Sequence, residues 1–348
     1  MKSKQPIAVL LINLGTPDSP ATADVRRYLV EFLTDGRVID IPWLPRQLLV
    51  RGIIAPFRAG NSAKSYRAIW TDRGSPLKFH SQDFTEALKQ RFATYPPDST
   101  QYVVELAMRY QSPSIEEALE KLRKQNPQRY IIVPMFPHYA SSSTGTAHQK
   151  VMDIMSQWQT VPPVTFINSY HNNDGYLDAF AQIGQTYNPN SYDHVLFSFH
   201  GLPERHMKKA DESKQHCLVT PNCCEVACPA NRFCYSHQCH VTAHELAKRL
   251  QIPPEKYTIS YQSRLGNDPW MQPYTVKTLE DLAKNKGIKR ILVFCPAFVA
   301  DCLETIYEIS TEYQEEFIAW GGEKIQLVES LNTHPRWVKA VEDMILEA

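Results

Sequence analysis

What the chain lacks narrows its class before any motif is read. It has no excess charge of either sign: 37 Lys and Arg stand against 37 Asp and Glu, and the pI is near 7.2. A protein that coats nucleic acid carries a basic footprint, so no nucleic-acid partner is expected. It has no uninterrupted apolar run of bilayer-spanning length. It also lacks the cleavage pattern of a secretory leader. A short basic start, Met1-Lys2-Ser3-Lys4, precedes the apolar residues 7–14, but these end in Asn13-Leu14-Gly15-Thr16-Pro17. The run therefore reads as a buried first strand. The expectation is a cytoplasmic protein, with peripheral membrane association left open.

Cysteine, by contrast, is concentrated. Six of the eight cysteines fall between Cys217 and Cys239. Without a secretion signal, such a cluster reads as metal-binding rather than disulfide-forming. The 348 residues, 43% hydrophobic, suffice for one large core or two medium domains.

Short apolar runs alternate with amphipathic stretches. Strands are expected at 7–14, 102–108, 130–136, 164–167, 194–199, 257–261, 291–295 and 325–328. Most are rich in Val, Ile, Leu or aromatics, as buried parallel strands are. Helical patterns such as 115–124 and 241–250 lie between them. This alternation predicts an α/β fold. It occurs twice, so two doubly wound halves are expected, at residues 1–170 and 171–348. A cysteine-rich insertion at about 211–239 interrupts the second, with Pro221 and Pro229 as breakers. Ligands of such folds sit beyond the carboxyl ends of the strands. Asn13-Leu14-Gly15, Arg109-Tyr110, Pro137-His138-Tyr139, His200-Gly201, Gln262-Ser263-Arg264 and residues 296–304 all lie at or just past those ends.

Two segments bear chemistry. In Ser198-Phe199-His200-Gly201-Leu202-Pro203 a strand ends and a histidine is presented on a turn. Imidazole is suited to take a proton near neutral pH, although a histidine at a strand end can equally be a structural hydrogen-bonding group. In the second segment Asp301, Glu304, Glu308, Glu312 and Glu315 recur at three- and four-residue steps, one face of a helix. Such a stripe is often a solvated surface. Starting at the cleft end of a buried strand, it also suits a hydrated divalent ion or a proton path.

These segments resemble the ferrochelatase family, and the resemblance runs through nearly the whole chain. It includes Leu11-Ile12-Asn13-Leu14-Gly15-Thr16-Pro17, Ser65-Tyr66-Arg67-Ala68-Ile69-Trp70, Met108-Arg109-Tyr110 and Pro137-His138-Tyr139. It continues through Ser198–Pro203, Tyr261-Gln262-Ser263-Arg264, Phe298-Val299-Ala300-Asp301-Cys302-Leu303-Glu304-Thr305 and Glu329-Ser330-Leu331-Asn332. The resemblance implies two Rossmann-like halves with a porphyrin cleft between them. It implies insertion of Fe2+ into protoporphyrin IX, the terminal step of heme synthesis. His200 matches the family's essential histidine, Glu304 its essential glutamate, and Glu308 and Glu312 the acidic ridge beyond. The expected division of labour has His200 take the pyrrole protons while Glu304, Glu308 and Glu312 relay charge or metal. Leu14, Leu29, Phe32, Tyr110, Tyr139 and Trp270 are nominated as porphyrin walls, each with an alternative reading as ordinary core. Arg58, Lys64, Tyr66, Arg109 and Ser263 are nominated for the propionates.

The chain departs from many family members in two places. Cys302 replaces a histidine two residues before the glutamate, and a thiol is a poor proton relay. Extra cysteines also sit between Asp211-Glu212 and Cys239-His240. Family members that bind [2Fe-2S] commonly use a C-terminal cysteine trio, and nothing of that kind precedes Ala348. The insertion resembles instead a bacterial branch that holds the cluster internally. Cys217, Cys224, Cys234 and Cys239 are the expected ligands, with Cys223 and Cys228 as alternates. A structural Zn2+ or unliganded thiols are the competing readings, and His216, His237 and His240 offer mixed ligation. Two rival functions stay open: a chelatase acting on coproporphyrin III or a related tetrapyrrole, and a non-enzymatic heme- or iron–sulfur-sensing module. Oligomeric state is not encoded in any feature of the sequence.

Overall fold

The computed structural model of the protein describes residues 5–96, 98–266 and 268–348. Among the described residues, eight strands form two four-stranded sheets, parallel throughout. The strands are β1 Ile7–Gly15, β2 Tyr102–Tyr110, β3 Arg129–Pro134, β4 Val164–Phe166, β5 His194–His200, β6 Tyr257–Gln262, β7 Arg290–Phe294 and β8 Lys324–Leu327. Each falls on a strand expected from the apolar runs, with ends shifted by at most two residues. The order is β2-β1-β3-β4 in one sheet and β6-β5-β7-β8 in the other. In both sheets the chain winds to one side of its first strand and then crosses to the other. The switch points therefore lie at the carboxyl ends of β1/β3 and of β5/β7, where open α/β sheets bind ligands.

The chain divides into two compact units. One comprises Met1–Phe136, Ser141–Asn168 and Val341–Ala348, the other Pro137–Ala140 and Ser169–Ala340. In the first unit, β1 runs IAVLLINLG and is buried along nearly all of its length, as a central strand covered on both faces must be. Ala8, Leu10 and Ile12 point into a core with Ile115, Leu119 and Leu122 of helix Ile115–Arg123 and with Ala147, Val151 and Met155 of helix Thr146–Met155. Helix Ile115–Arg123 starts at a reciprocal cap. The Ser114 hydroxyl accepts from Glu117 N at 3.2 Å, and the Glu117 carboxylate accepts from Ser114 N at 2.9 Å. Gly15 closes β1 with φ +111°, and a Cβ there would fall 1.9 Å from the Tyr110 carbonyl oxygen, so only glycine fits.

In the second unit, Leu196, Ile291, Val293 and Ile325 pack with Leu279, Leu282, Ile309, Tyr313 and Phe317. The stretch Leu303–Tyr313 is π-helical and continues as α-helix Gln314–Ala319. The expected helix at 241–250 begins earlier, running Tyr235–Arg249 with Cys234 as its N-cap. The insertion before it is irregular, as expected. Buried polar side chains hold it. Asp211 accepts from the backbone N–H groups of Ser213, His216 and Cys217 at 2.9 Å each. Asn231 donates to the carbonyls of Cys223 and Val226 at 3.0 and 2.8 Å.

Candidate active site

His200 is the last residue of β5, followed by the buried turn Gly201-Leu202-Pro203. A Cβ on Gly201 would meet the Gln262 carbonyl oxygen at 2.9 Å and Trp270 at 3.2 Å, so the glycine lets the turn press against β6 and Trp270. The His200 Nδ1 atom lies 2.6 Å from the Gly201 carbonyl oxygen. A carbonyl only accepts, so Nδ1 carries the proton and Nε2 is left with the lone pair. The half-buried ring sits 6.4 Å, centroid to centroid, from Trp270 and from Phe298.

Glu304 and Glu308 lie on the π-helical stretch that follows β7, on the other side of the same switch point. A π-helix has about 4.4 residues per turn. Each four-residue step is then about 30° short of a full turn, and Glu304, Glu308 and Glu312 stay on one face. Asp301 leaves that stripe. Cys302 is extended, φ −150° and ψ −170°, so the helix begins after it. The Asp301 carboxylate is buried instead and accepts from Thr305 Oγ1 at 3.1 Å, Ser330 N at 3.2 Å and Asn332 Nδ2 at 2.8 Å. Cys302 is buried beside Glu304; burial first, then that neighbouring carboxylate, pushes its thiol well up, so it stays protonated.

Glu308 is clamped. Its carboxylate accepts from Ser263 N at 2.9 Å, Ser263 Oγ at 2.6 Å, Gln262 Nε2 at 3.0 Å and Tyr313 Oη at 2.7 Å. Those four donors use the lone-pair positions of an ionised carboxylate. Gln262 is the link. Besides Glu308 it donates to the Glu304 carbonyl oxygen at 2.9 Å, and its Oε1 accepts from Ser198 Oγ at 2.7 Å. In the sheet it stands opposite His200, and its carbonyl accepts from Gly201 N at 2.8 Å. One buried amide thus ties the histidine's strand to the glutamate's helix. Glu312 is exposed, and partial burial, then Glu308, Glu316 and Glu315, raise its pKa. Tyr139, also in this unit, packs 5.5 Å from Phe233 and donates its N–H to Gln238 at 2.7 Å.

In the first unit, Leu14 is half-buried at the end of β1, and Tyr110 is fully buried with its ring 5.1 Å from that of Phe32. Leu29 and Tyr66 are buried, on helices Thr22–Leu33 and Ala55–Ile69, and Arg58 and Lys64 are exposed on the latter. Arg109 is engaged within the protein, 2.6 Å from Asp35, with Nε donating to Thr146 Oγ1 at 2.8 Å. Burial acts to raise the Asp35 pKa, but hydrogen bonds from Thr146 and the Arg37 backbone, with the Arg109 charge, outweigh it and hold the carboxyl below its ordinary value. Asp35, Gln262 and Thr146 are residues that the sequence reading did not nominate. Only Gln262 left a signal, as part of a strand-end motif.

The six clustered cysteines separate in the structure. Cys234 neighbours both Cys217 and Cys224, and Cys224 donates its thiol to Ser236 Oγ at 3.1 Å. Burial pushes the Cys217 thiol up to about 11. Cys228 faces His216 Nε2 at 3.4 Å, and Cys239 is fully buried against Tyr235.

Solved structures give the class first. The sirohydrochlorin chelatase SirB of Bacillus subtilis subspecies spizizenii, in complex with cobalt, superposes with a TM-score of 0.53 at 12% identity, covering 98% of this chain and 94% of that one. SirB from Bacillus subtilis with Fe3+ gives 0.52 at 13% identity over 98% and 95%. The fold is that of the chelatases. Sequence then gives the family. The Ferrochelatase family model matches residues 6–348. A ferrochelatase of Legionella pneumophila (strain Lens) is 41% identical over 97% of this chain and 98% of its own length. One of Ectopseudomonas mendocina (strain ymp) is 44% identical over 96% of each. The chain belongs to the ferrochelatase family.

Proposed function

We propose that the chain inserts Fe2+ into protoporphyrin IX to give protoheme, with His200 and Glu304 on opposite faces of the macrocycle. Iron insertion into a porphyrin for heme synthesis is the activity of its family; the choice of porphyrin and the residue roles are inferred from this chain. The reaction must remove two pyrrole N–H protons, strip water from the ion and bend the macrocycle. The observation that carries the assignment is the His200 tautomer. With Nδ1 donating to Gly201, the Nε2 lone pair is the free base of the site. Glu304 supplies the facing carboxylate. Glu308, fixed by four donors, serves as a stationary negative charge beneath the ion's path rather than as a mobile carrier, and Glu312 is the outer, exposed member.

Leu14, Phe32, Tyr139 and Trp270 supply the walls, while Leu29 and the fully buried Tyr110 back them from the core. Arg109 and Ser263 are committed to Asp35 and Glu308, which makes exposed Arg58 the favoured cation for a propionate. General acid–base groups contribute about 10²–10⁴ in rate. His200→Ala should therefore lower kcat for Fe2+ insertion by at least about 100-fold, with little change in porphyrin KM. A near-normal kcat would sink the proposal. Faster turnover of coproporphyrin III than of protoporphyrin IX would move the assignment to that substrate. Inability of the unaltered protein to metallate any porphyrin would favour the sensing module.

Cys217, Cys224 and Cys234 are buried to half-buried, with Cys234 the neighbour of the other two, but the three sulfurs do not converge within 4.8 Å of one another, so a sulfur-ligated centre would need the insertion to close around it. We assign these thiols to a [2Fe-2S] cluster, with Cys239 as fourth ligand and Cys223 as its alternate. When bound, such a group would cross-link the insertion and add a one-electron redox centre. Visible absorption at roughly 400–550 nm is expected of the purified protein. A colourless protein with one thiol-bound Zn2+ would overturn the assignment.

No helix among the described residues is long and apolar enough to cross a membrane. Contact with a lipid surface rests on Trp43, Leu44, Leu48, Ile53 and Phe57, all exposed along the consecutive helical segments from Trp43 to Ile69. A cytoplasmic location accords with that peripheral mode.

A further inference from the structure

Beyond the thiols, the insertion brings together a second set of metal-ligating atoms. His240 and His244 stand one turn apart on helix Tyr235–Arg249, and Glu225 comes from the loop that follows Cys223-Cys224. The His240 Nδ1 atom is 3.7 Å from Glu225 Oε1, and His244 Nε2 is 3.9 Å from Glu225 Oε2. One ligand atom from each residue lies within 4.8 Å of the other two, and no other such trio occurs among the described residues.

We propose that Glu225, His240 and His244 form a site for a divalent first-row transition ion of borderline softness, Zn2+ being the type. Two histidines at i and i+4 on one helix face, with a carboxylate from elsewhere, are a sufficient protein ligand set for such an ion, leaving positions for water. A tetrahedral ion with bonds of about 2.1 Å separates its ligands by about 3.4 Å. The two histidine–carboxylate spacings, 3.7 and 3.9 Å, are within a few tenths of an ångström of that value, and the spacing between the histidine nitrogens is no more than 4.8 Å.

Two further observations point to an ion rather than an ordinary ion pair. His240 Nδ1 is buried and makes no hydrogen bond, although it faces the Glu225 carboxylate. His244 is oriented from behind, with Nδ1 2.6 Å from the Tyr257 hydroxyl. With its proton on Nδ1 donated to that oxygen, the Nε2 lone pair points toward Glu225. Metal-bound histidines are commonly fixed through the ring nitrogen that does not bind the metal. The ion would pin the loop after Cys224 to the helix that bears Cys239, bracing the insertion without using a thiol.

The test is Zn2+ binding to the full chain, measured by equilibrium dialysis with metal analysis, alongside Co2+ titration followed in the ultraviolet and visible. His244 is 45% exposed at its side chain, so His244→Ala should fold normally. That variant should bind one equivalent of Zn2+ fewer than the parent. It should also lose the Co2+ absorption that lacks a sulfur charge-transfer band, while any thiolate-to-cobalt band persists. Glu225→Gln should act likewise. Tyr257→Phe should weaken the site about 10–100-fold, as loss of a supporting partner does. Unchanged Zn2+ stoichiometry and affinity in His244→Ala would overturn the site. The cluster assignment is read separately, from the sulfur bands and the colour of the isolated protein.

Discussion

Replacing Gln262 with Met should damage catalysis without touching a proposed catalytic group. Gln262 is 2% exposed and makes four side-chain hydrogen bonds: to the Glu308 carboxylate, to the Glu304 carbonyl, from Ser198 and from the Cys295 thiol. A bond to a charged group contributes about 1.5–3 kcal/mol and each neutral one about 1 kcal/mol. Methionine fills nearly the same volume and returns part of that through apolar burial. The net loss of stability should be about 2–4 kcal/mol. Ser198 keeps a partner in Thr275 at 2.9 Å, and Glu308 keeps three donors, so the fold survives. The Glu304 carbonyl loses its anchor at the first turn of the π-helical stretch, and displacement of a catalytic group by about 1 Å costs about 100-fold. Anaerobic Fe2+ insertion should show kcat reduced by about 10–100-fold with porphyrin KM nearly constant. Urea unfolding on the same preparation gives the folded fraction. If kcat per folded molecule equals that of the parent, Gln262 is structural only and the link from His200 to Glu304 is refuted.

Stability should fall with acid below neutrality. Burial lowers the pKa of His148 from 6.5 to about 4, so between those values the unfolded chain binds the proton and the folded chain does not. Stability contributed by the neutral ring is present above the unfolded pKa and is lost on acidification through that window. Between pH 7 and pH 5 the loss is about 2 kcal/mol. His148→Leu should reduce the slope of the urea midpoint with pH over that range, the remainder belonging to the equally shifted His171 and His194, and an unchanged slope would contradict the burial argument. Phe57, 79% exposed, should insert at a lipid surface. Phe57→Glu should weaken sedimentation with anionic vesicles roughly tenfold or more, since a buried Phe contributes about 1.5–3 kcal/mol. Equal sedimentation would remove the apolar ridge as a contact.

All eight strands were legible because a buried parallel strand writes itself locally, as a short run rich in Val, Ile, Leu or aromatics closed by Gly, Pro or a polar residue. The end of β2 was less so. It extends to Tyr110 because Tyr110 pairs with Gly15, about a hundred residues earlier, and no local period reports that pairing. The helix before Arg249 began six residues ahead of its expected start for a related reason. Tyr235, His237 and Cys239 look like loop and ligand chemistry in sequence, yet they are buried on the first turns of the helix. Asp301 fitted the helical step by spacing alone, and one extended residue, Cys302, takes it out of the stripe.

The candidate site shows the same boundary at finer scale. Ser263 was nominated for a propionate on chemistry that suits either role. Its backbone adopts φ +66°, and in that left-handed turn both its N–H and its hydroxyl meet the Glu308 carboxylate. Arg109 was nominated on the same grounds and is engaged by Asp35, 74 residues away in sequence. In each case residue type was readable and partner was not, because a partner is chosen by the fold. The motif Tyr261-Gln262-Ser263-Arg264 therefore marks something different from a ligand contact. Two of its four residues hold the helix on which Glu304 and Glu308 stand, and a substitution there should act on the position of the carboxylates before it acts on porphyrin binding.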